Sequence, residues 1–223
     1  MIPLALSAGP VADHPAELLV LVAALALLPA ALVMLTSFLK IVVVLSITRS
    51  AIGAPQVPPN TALTGLALVL TALVMAPVGE RALDAMRAGP PDTGVAATLA
   101  RLERGAEPLR GFLVRFARAD DRAAFLDVAA RLRGPGLAPP GDADLAVLAP
   151  AFVVSELRRA FTIGFLVFLP FLVVDLLAAN VLLALGLSQL SPTTVALPFK
   201  LILFVAVDGW KLLARGLVLG YLA

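Results

Sequence analysis

Hydrophobic positions gather into two blocks of this chain, residues 18–78 and 161–219, each long enough for a pair of bilayer-spanning helices of about 20 residues. Between them the pattern changes. Residues 80–159 hold 11 of the 15 acidic groups and 12 of the 17 basic ones. The periodicity there is helical and two-sided: Leu109, Phe112, Leu113 and Phe116 recur at i, i+3, i+4 and i+7, with Arg110, Arg115 and Arg118 off that stripe. Phe125, Val128, Ala129 and Leu132 repeat the spacing. The pattern predicts an all-α, membrane-type protein: an apolar helical hairpin in residues 1–79, a soluble α-helical domain in 80–149, and a second apolar hairpin in 150–223.

Breakers divide the blocks into elements. Residues 18–48 read as one long apolar helix kinked at Pro29, which a neighbouring helix must re-satisfy. A tip containing Gly53, Pro58, Pro59 and Asn60 follows, and residues 61–78 return. The second hairpin opens near Pro150 and passes Glu156, Arg158 and Arg159 into residues 161–187. Its tip runs from Gly186 through Leu187, Ser188, Gln189 and Leu190 to Pro192, and residues 195–219 return as a single last helix. Gly53 to Pro59 and Gly186 to Pro192 are both six residues, the spacing expected of a parallel structural repeat. Read locally, these glycines and prolines are turn chemistry; read functionally, the tips are a constriction.

Composition narrows the class. With 61% hydrophobic residues and a mean hydropathy of +1.01, the chain lies outside the soluble range. Its basic residues are interleaved with acids, which is no nucleic-acid footprint. Zero cysteines and a single histidine exclude a disulfide framework, a thiolate or multi-histidine metal site and a Ser-His nucleophile, so neither enzyme chemistry nor a cofactor is expected. Lys40 is the first basic residue, so residues 18–39 read as a retained span rather than a signal peptide. The Lys/Arg bias of Lys40 and Arg49 places the first tip in the cytoplasm.

Lys40, Asp175, Lys200 and Asp208 stand in otherwise apolar helices. Each such charge costs about 2.5–3.5 kcal/mol at mid-bilayer, so each needs a partner, water or another subunit. Asp208, Lys211 and Arg215 fall at i, i+3 and i+7, consistent with an intrahelical pair and snorkelling cations. Asp175 and Lys200 either line a water-filled path or pair across a helix interface, and the ammonium's need for a carboxylate favours the interface. A secondary transporter or ion channel would use the same two residues as its coupling or selectivity site.

Whole strings carry more than spacing does. MLTSFLKIVVVLSITRSAIGAPQVPPN, LTGLALVLTALVMAPV, GAEPLRGFLVRFARADD, SELRRAFTIGFLVFLPFLVVDLLAANVLLALG and LPFKLILFVAVDGW resemble, in this order, the FliP/SctR family of type III secretion export-gate proteins. The resemblance implies a homopentameric spiral of helical hairpins, completed by SctS/FliQ-like and SctT/FliR-like proteins. That assembly belongs to the bacterial inner membrane, lies largely on its periplasmic side, and encloses the path of exported unfolded polypeptides. It also implies that the buried charges face protein, with Glu156 of the SEL motif and Lys200 of the PFK motif as candidates for an inter-subunit ion pair. Asp175 and Asp208 join them as inter-subunit or buried charges. Leu187, Ser188, Gln189 and Leu190 become the pore constriction, although relatives usually carry consecutive methionines there. DLLAANVLLALG and the short N-terminus look more like the injectisome SctR (YscR/HrcR) branch than the flagellar FliP one.

Overall fold

The computed structural model describes residues 33–54, 56–88, 95–134, 138 and 140–222, with isolated positions at 22, 26, 29 and 30. Every regular element among them is helical: α1 (Phe38–Ile52), α2 (Asn60–Arg87), α3 (Val95–Phe116), α4 (Ala119–Arg133), α5 (Leu145–Ala184), α6 (Pro192–Ala206) and α7 (Gly209–Leu219).

The spans differ from the expected ones wherever local breakers proved weaker or stronger than they read. A bend at residues 35–37 interrupts the first span, and α1 then runs past Thr48 to Ile52. Pro29 is helical, but most of its neighbours lie outside the described residues. Pro77 lies inside α2, and Pro150 and Pro170 lie inside α5, without ending either helix. As a result α2 and α5 pass through residues 79–80 and 149–150 unbroken. At 40 residues, α5 is about 60 Å long, twice the roughly 30 Å of a bilayer's hydrocarbon core.

Two apolar cores lie along α5. The first joins the hairpins: Ile41, Val44 and Leu45 of α1, Leu63, Ala67 and Leu70 of α2, Ala160 and Phe171 of α5, and Phe204, Leu213 and Leu217 of α6 and α7. Close approach of α1 and α5 depends on Gly164, where a Cβ would lie 2.9 Å from Ile47 Cγ2. The second core gathers Phe112, Leu113, Phe116 and Ala117 around Leu148, Ala151, Phe152 and Tyr221. The amphipathic stripe read on residues 109–116 therefore packs on α5 and on Tyr221. Outward, Leu68, Val69 and Leu73 of α2, Phe161, Phe165, Leu166, Leu176 and Leu177 of α5, and Phe199, Ile202 and Val205 of α6 are all exposed. Both α2 and α5 are long and apolar enough to cross a membrane.

The final span departs most. Expected as one helix, it breaks between α6 and α7 at Asp208, the single non-glycine residue among those described with a positive φ, at +51°. Buried positions run Ala196, Lys200 and Phe204 on α6, then Gly209, Leu213 and Leu217 on α7. The spacing of four is interrupted by one step of five. This slip turns α7 by one residue, about 100°, so that leucines face the core and Asp208 points to solvent. Gly209 is required beside the break because a Cβ there would run into the Phe204 ring.

Truncation separates the inward and outward faces of α5. Phe152 is fully buried and Leu166 is 60% exposed. Phe152→Ala is expected to lose about 3–5 kcal/mol and Leu166→Ala to stay within about 0.5 kcal/mol, read by reversible unfolding in mixed micelles. Equal losses would mean that the outward face is packed within the monomer.

Candidate functional site

Two clusters of buried charge lie between the hairpins, one at the base of the spans and one beneath the tips. The base cluster centres on Glu156, which is fully buried on α5. One turn later on the same helix, Arg159 Nη1 donates to Glu156 Oε1 at 2.7 Å. The other oxygen, Oε2, accepts from the Tyr221 hydroxyl and stands 3.5 Å from the Lys40 ammonium of α1. That ammonium also lies over the Tyr221 ring, 3.4 Å from its centroid, so the ring face and the carboxylate share its charge. Burial raises the Tyr221 phenol above its ordinary value, and the neighbouring carboxylate adds to the rise. The hydroxyl therefore stays protonated and serves as a donor.

The same stretch of α5 fixes the corner between α3 and α4. Arg159 Nη1 donates at 2.6 Å to the carbonyl of Phe116, the last residue of α3 and one of its unpaired terminal acceptors. Ser155 Oγ accepts from the Arg118 N–H at 2.9 Å and donates to Asp121 Oδ2 at 2.6 Å. Arg158 Nη2 closes the set on Asp121 Oδ1 at 3.0 Å. Asp121 lies in the first turn of α4, where a carboxylate favours the helix dipole. Residues 155–159, the core of the SELRR string, thus hold three helices at one level.

The tip cluster is built on Lys200 of α6. Its Nζ donates to Asp175 Oδ2 at 2.6 Å and to the Ala51 carbonyl at 3.2 Å. Ala51 lies in the last turn of α1, so the ammonium caps that helix and meets the negative end of its dipole. Directly beyond stands Gly53, left-handed at φ +85°. A side chain starting there would lie 3.8–3.9 Å from Lys200 Nζ, Thr193 and Leu197. The first tip therefore abuts the start of α6. Arg49 Nη1 ties it off on the Pro58 carbonyl and on Asn60 Oδ1.

At the second tip, Gly186 at φ +71° ends α5 in a Schellman motif. The Gly186 N–H donates to the Leu183 carbonyl and the Leu187 N–H to that of Leu182. Pro192 then opens α6 at its first turn. Leu187, Ser188, Gln189 and Leu190 project from this turn and are exposed.

Of the charges singled out in the sequence, Asp175 and Lys200 meet. Glu156 and Lys200 do not meet within the chain: each has its own partners, one set at the base and the other at the tips. Asp208, read both as an inter-subunit or buried charge and as an intrahelical partner of Lys211, is exposed in this chain and lies 3.5 Å from Lys211, because the break turns it outward. Tyr221 was missed, as were the roles of Lys40 and Arg159 as partners of Glu156. Tyr221 is the only tyrosine in the chain, a faint signal, but nothing in local spacing ties it to a residue 65 positions away. Among the described residues no group of three or more His, Cys, Asp or Glu gathers to hold a metal ion. The clusters neutralise and fasten.

Two apolar hairpins, a charged helical insert and self-neutralised buried charges define an all-helical, membrane-type protein. The chain belongs to the FliP family, whose pattern residues 21–217 match. It is 49% identical over 94% of its length to the pathogenicity-related ORF2 protein of Xanthomonas campestris pv. glycines, covering 98% of that protein. The hypersensitivity response secretion protein HrcR of Ralstonia nicotianae is 46% identical over 92% of this chain and 97% of its own. The flagellar biosynthetic protein FliP of Pectobacterium carotovorum is 48% identical over 90% of this chain and 76% of its own.

Removing the carboxylate of the base cluster leaves the buried Lys40 ammonium without its counter-charge. Glu156→Gln is expected to cost about 3–5 kcal/mol, and a double-mutant cycle with Lys40→Met should return a coupling above about 1 kcal/mol. A coupling indistinguishable from zero would show that the two side chains do not pair.

Proposed function

We propose that this protein is a core subunit of a type III secretion export gate, forming with further copies of itself and SctS- and SctT-like partners the channel through which unfolded proteins leave the cytoplasm. Proteins it resembles are named for hypersensitivity-response secretion, Yop translocation and flagellar biosynthesis, which supports a part in protein export and in a multi-component apparatus rather than in catalysis. We assign it to the injectisome branch, on DLLAANVLLALG and on the secretion proteins among its relatives. Its place is the bacterial inner membrane, with residues 80–149 and much of the assembled complex toward the periplasm.

One observation carries this reading. The chain neutralises its buried charges internally yet leaves long apolar faces of α2, α5 and α6 uncovered. Such faces, continuous over several helices, are built to meet lipid first and neighbouring hairpins afterwards. Asp175 Oδ1, buried and without a hydrogen-bond partner among the described residues, leaves one acceptor for a donor that arrives on assembly. At the second tip Leu187 and Leu190 supply apolar groups to a constriction, while Ser188 and Gln189 make it wetter than a run of methionines would.

Co-expression with the SctS- and SctT-like neighbours, followed by native mass spectrometry, tests the assembly. A multi-copy core of this chain bearing both partners is expected. A monomer or dimer ignoring both would point instead to a small-solute transporter. In the reconstituted complex, Leu187→Ser with Leu190→Ser should raise ion leak at least several-fold, and an unchanged leak would place the constriction elsewhere.

A further inference from the structure

The break between α6 and α7 has no proline and no chain of hydrogen bonds that demands it: residues 205–211 read Val-Ala-Val-Asp-Gly-Trp-Lys. Asp208 nevertheless takes a left-handed conformation, uncommon for L-residues although Asp tolerates it better than most, and makes no side-chain cap bond there. A conformation of this kind persists only when its surroundings over-determine it. Here the surroundings lie at both ends of α7. At the near end, Gly209 sits against the Phe204 ring, and Trp210 meets that ring edge-on with centroids 5.1 Å apart. At the far end, Tyr221 is seated between Phe112 and Phe116, beneath Lys40, with its hydroxyl on Glu156. The Leu222 carbonyl also accepts from Arg115 Nη2.

Without the one-residue slip, α6 and α7 would form one helix. Lys200, Phe204, Asp208, Lys211 and Arg215 would then fall at i, i+4, i+8, i+11 and i+15, along one face. Leu213 and Leu217, now buried, would turn away from the core, and Tyr221 would leave its seat.

We propose that residues 207–209 are a register switch for α7, with Tyr221 as its latch. In the latched register the leucines face inward and Lys211 and Arg215 face outward. In the released register α6 and α7 are continuous, and the charged face turns toward Lys200. The seat of Tyr221 is made by α1, α3 and α5 together, so the register reports whether those three elements are in place. This device belongs to the single chain and stands whether or not the export-gate reading does.

The chain has no cysteine, so two can be introduced cleanly at Val69 and Leu212, which are 67% and 65% exposed. Spin labels at these sites, read by double electron–electron resonance on the full chain in nanodiscs, follow the rotation of α7 against α2. A one-residue turn moves the label at 212 by about 8 Å, given a helix about 10–12 Å across. The latched protein is expected to show one distance. Asp208→Gly, which suits the left-handed conformation, should keep that distance alone. Asp208→Ala, which favours continuous helix, and Tyr221→Phe should each add a second distance displaced by about 8 Å. The Asp208 variants alter an exposed side chain and keep the test decisive even if Tyr221→Phe fails to fold. A single unchanged distance in Asp208→Ala, or the same mixture in both Asp208 variants, overturns the switch.

Discussion

A carboxylate enclosed among apolar helices must be met on both oxygens, and Glu156 is met from three places in the chain. Arg159 comes from its own helix, Lys40 from the first hairpin and Tyr221 from the turn after α7. Each element is held there by the energy of leaving a buried charge unmatched, which exceeds what any single apolar contact supplies. Because Arg159 also caps α3, the carboxylate sets the level at which the insert joins the spans. Remove the carboxylate, and the two hairpins, the insert and the end of α7 lose their common reference.

The second cluster extends the same logic to the far end. Lys200 satisfies a carboxylate and a helix-terminal carbonyl at once, fixing the end of α1 against α5 and α6. The tips are therefore positioned by a buried ion pair one layer beneath them, while their own residues remain exposed. That division fits the constriction proposed for the second tip, which would need rigid support beneath it. Gly53 and Gly186, both left-handed, let the two helices end abruptly at the tips.

Between these clusters the structure accepts a local cost. Asp208 holds a left-handed conformation that is uncommon for a residue with a side chain, and the gain is a helix whose leucines face the core. A strictly periodic helix would have carried Lys211 and Arg215 inward, where only Asp208 could match them. The slip resolves a conflict between the phase of α6 and the phase of α7.

Hydropathy and period sufficed for the helical class, the two apolar hairpins, the charged insert and the glycine-proline tips, because each is written in neighbouring residues. The strings of the resemblance added the family, and Asp175 and Lys200 were visible as charges that each needed a partner, though the sequence did not join them to each other. Helix ends were less legible, since α2 and α5 continue through Pro77, Pro150 and Pro170, which are tolerated where neighbouring helices support the backbone. Which charge meets Glu156, where α7 turns and what Tyr221 touches were decided by tertiary structure alone. Those contacts join residues 65 to 116 positions apart, and their energies depend on burial and dielectric, quantities that arise only when the helices have come together.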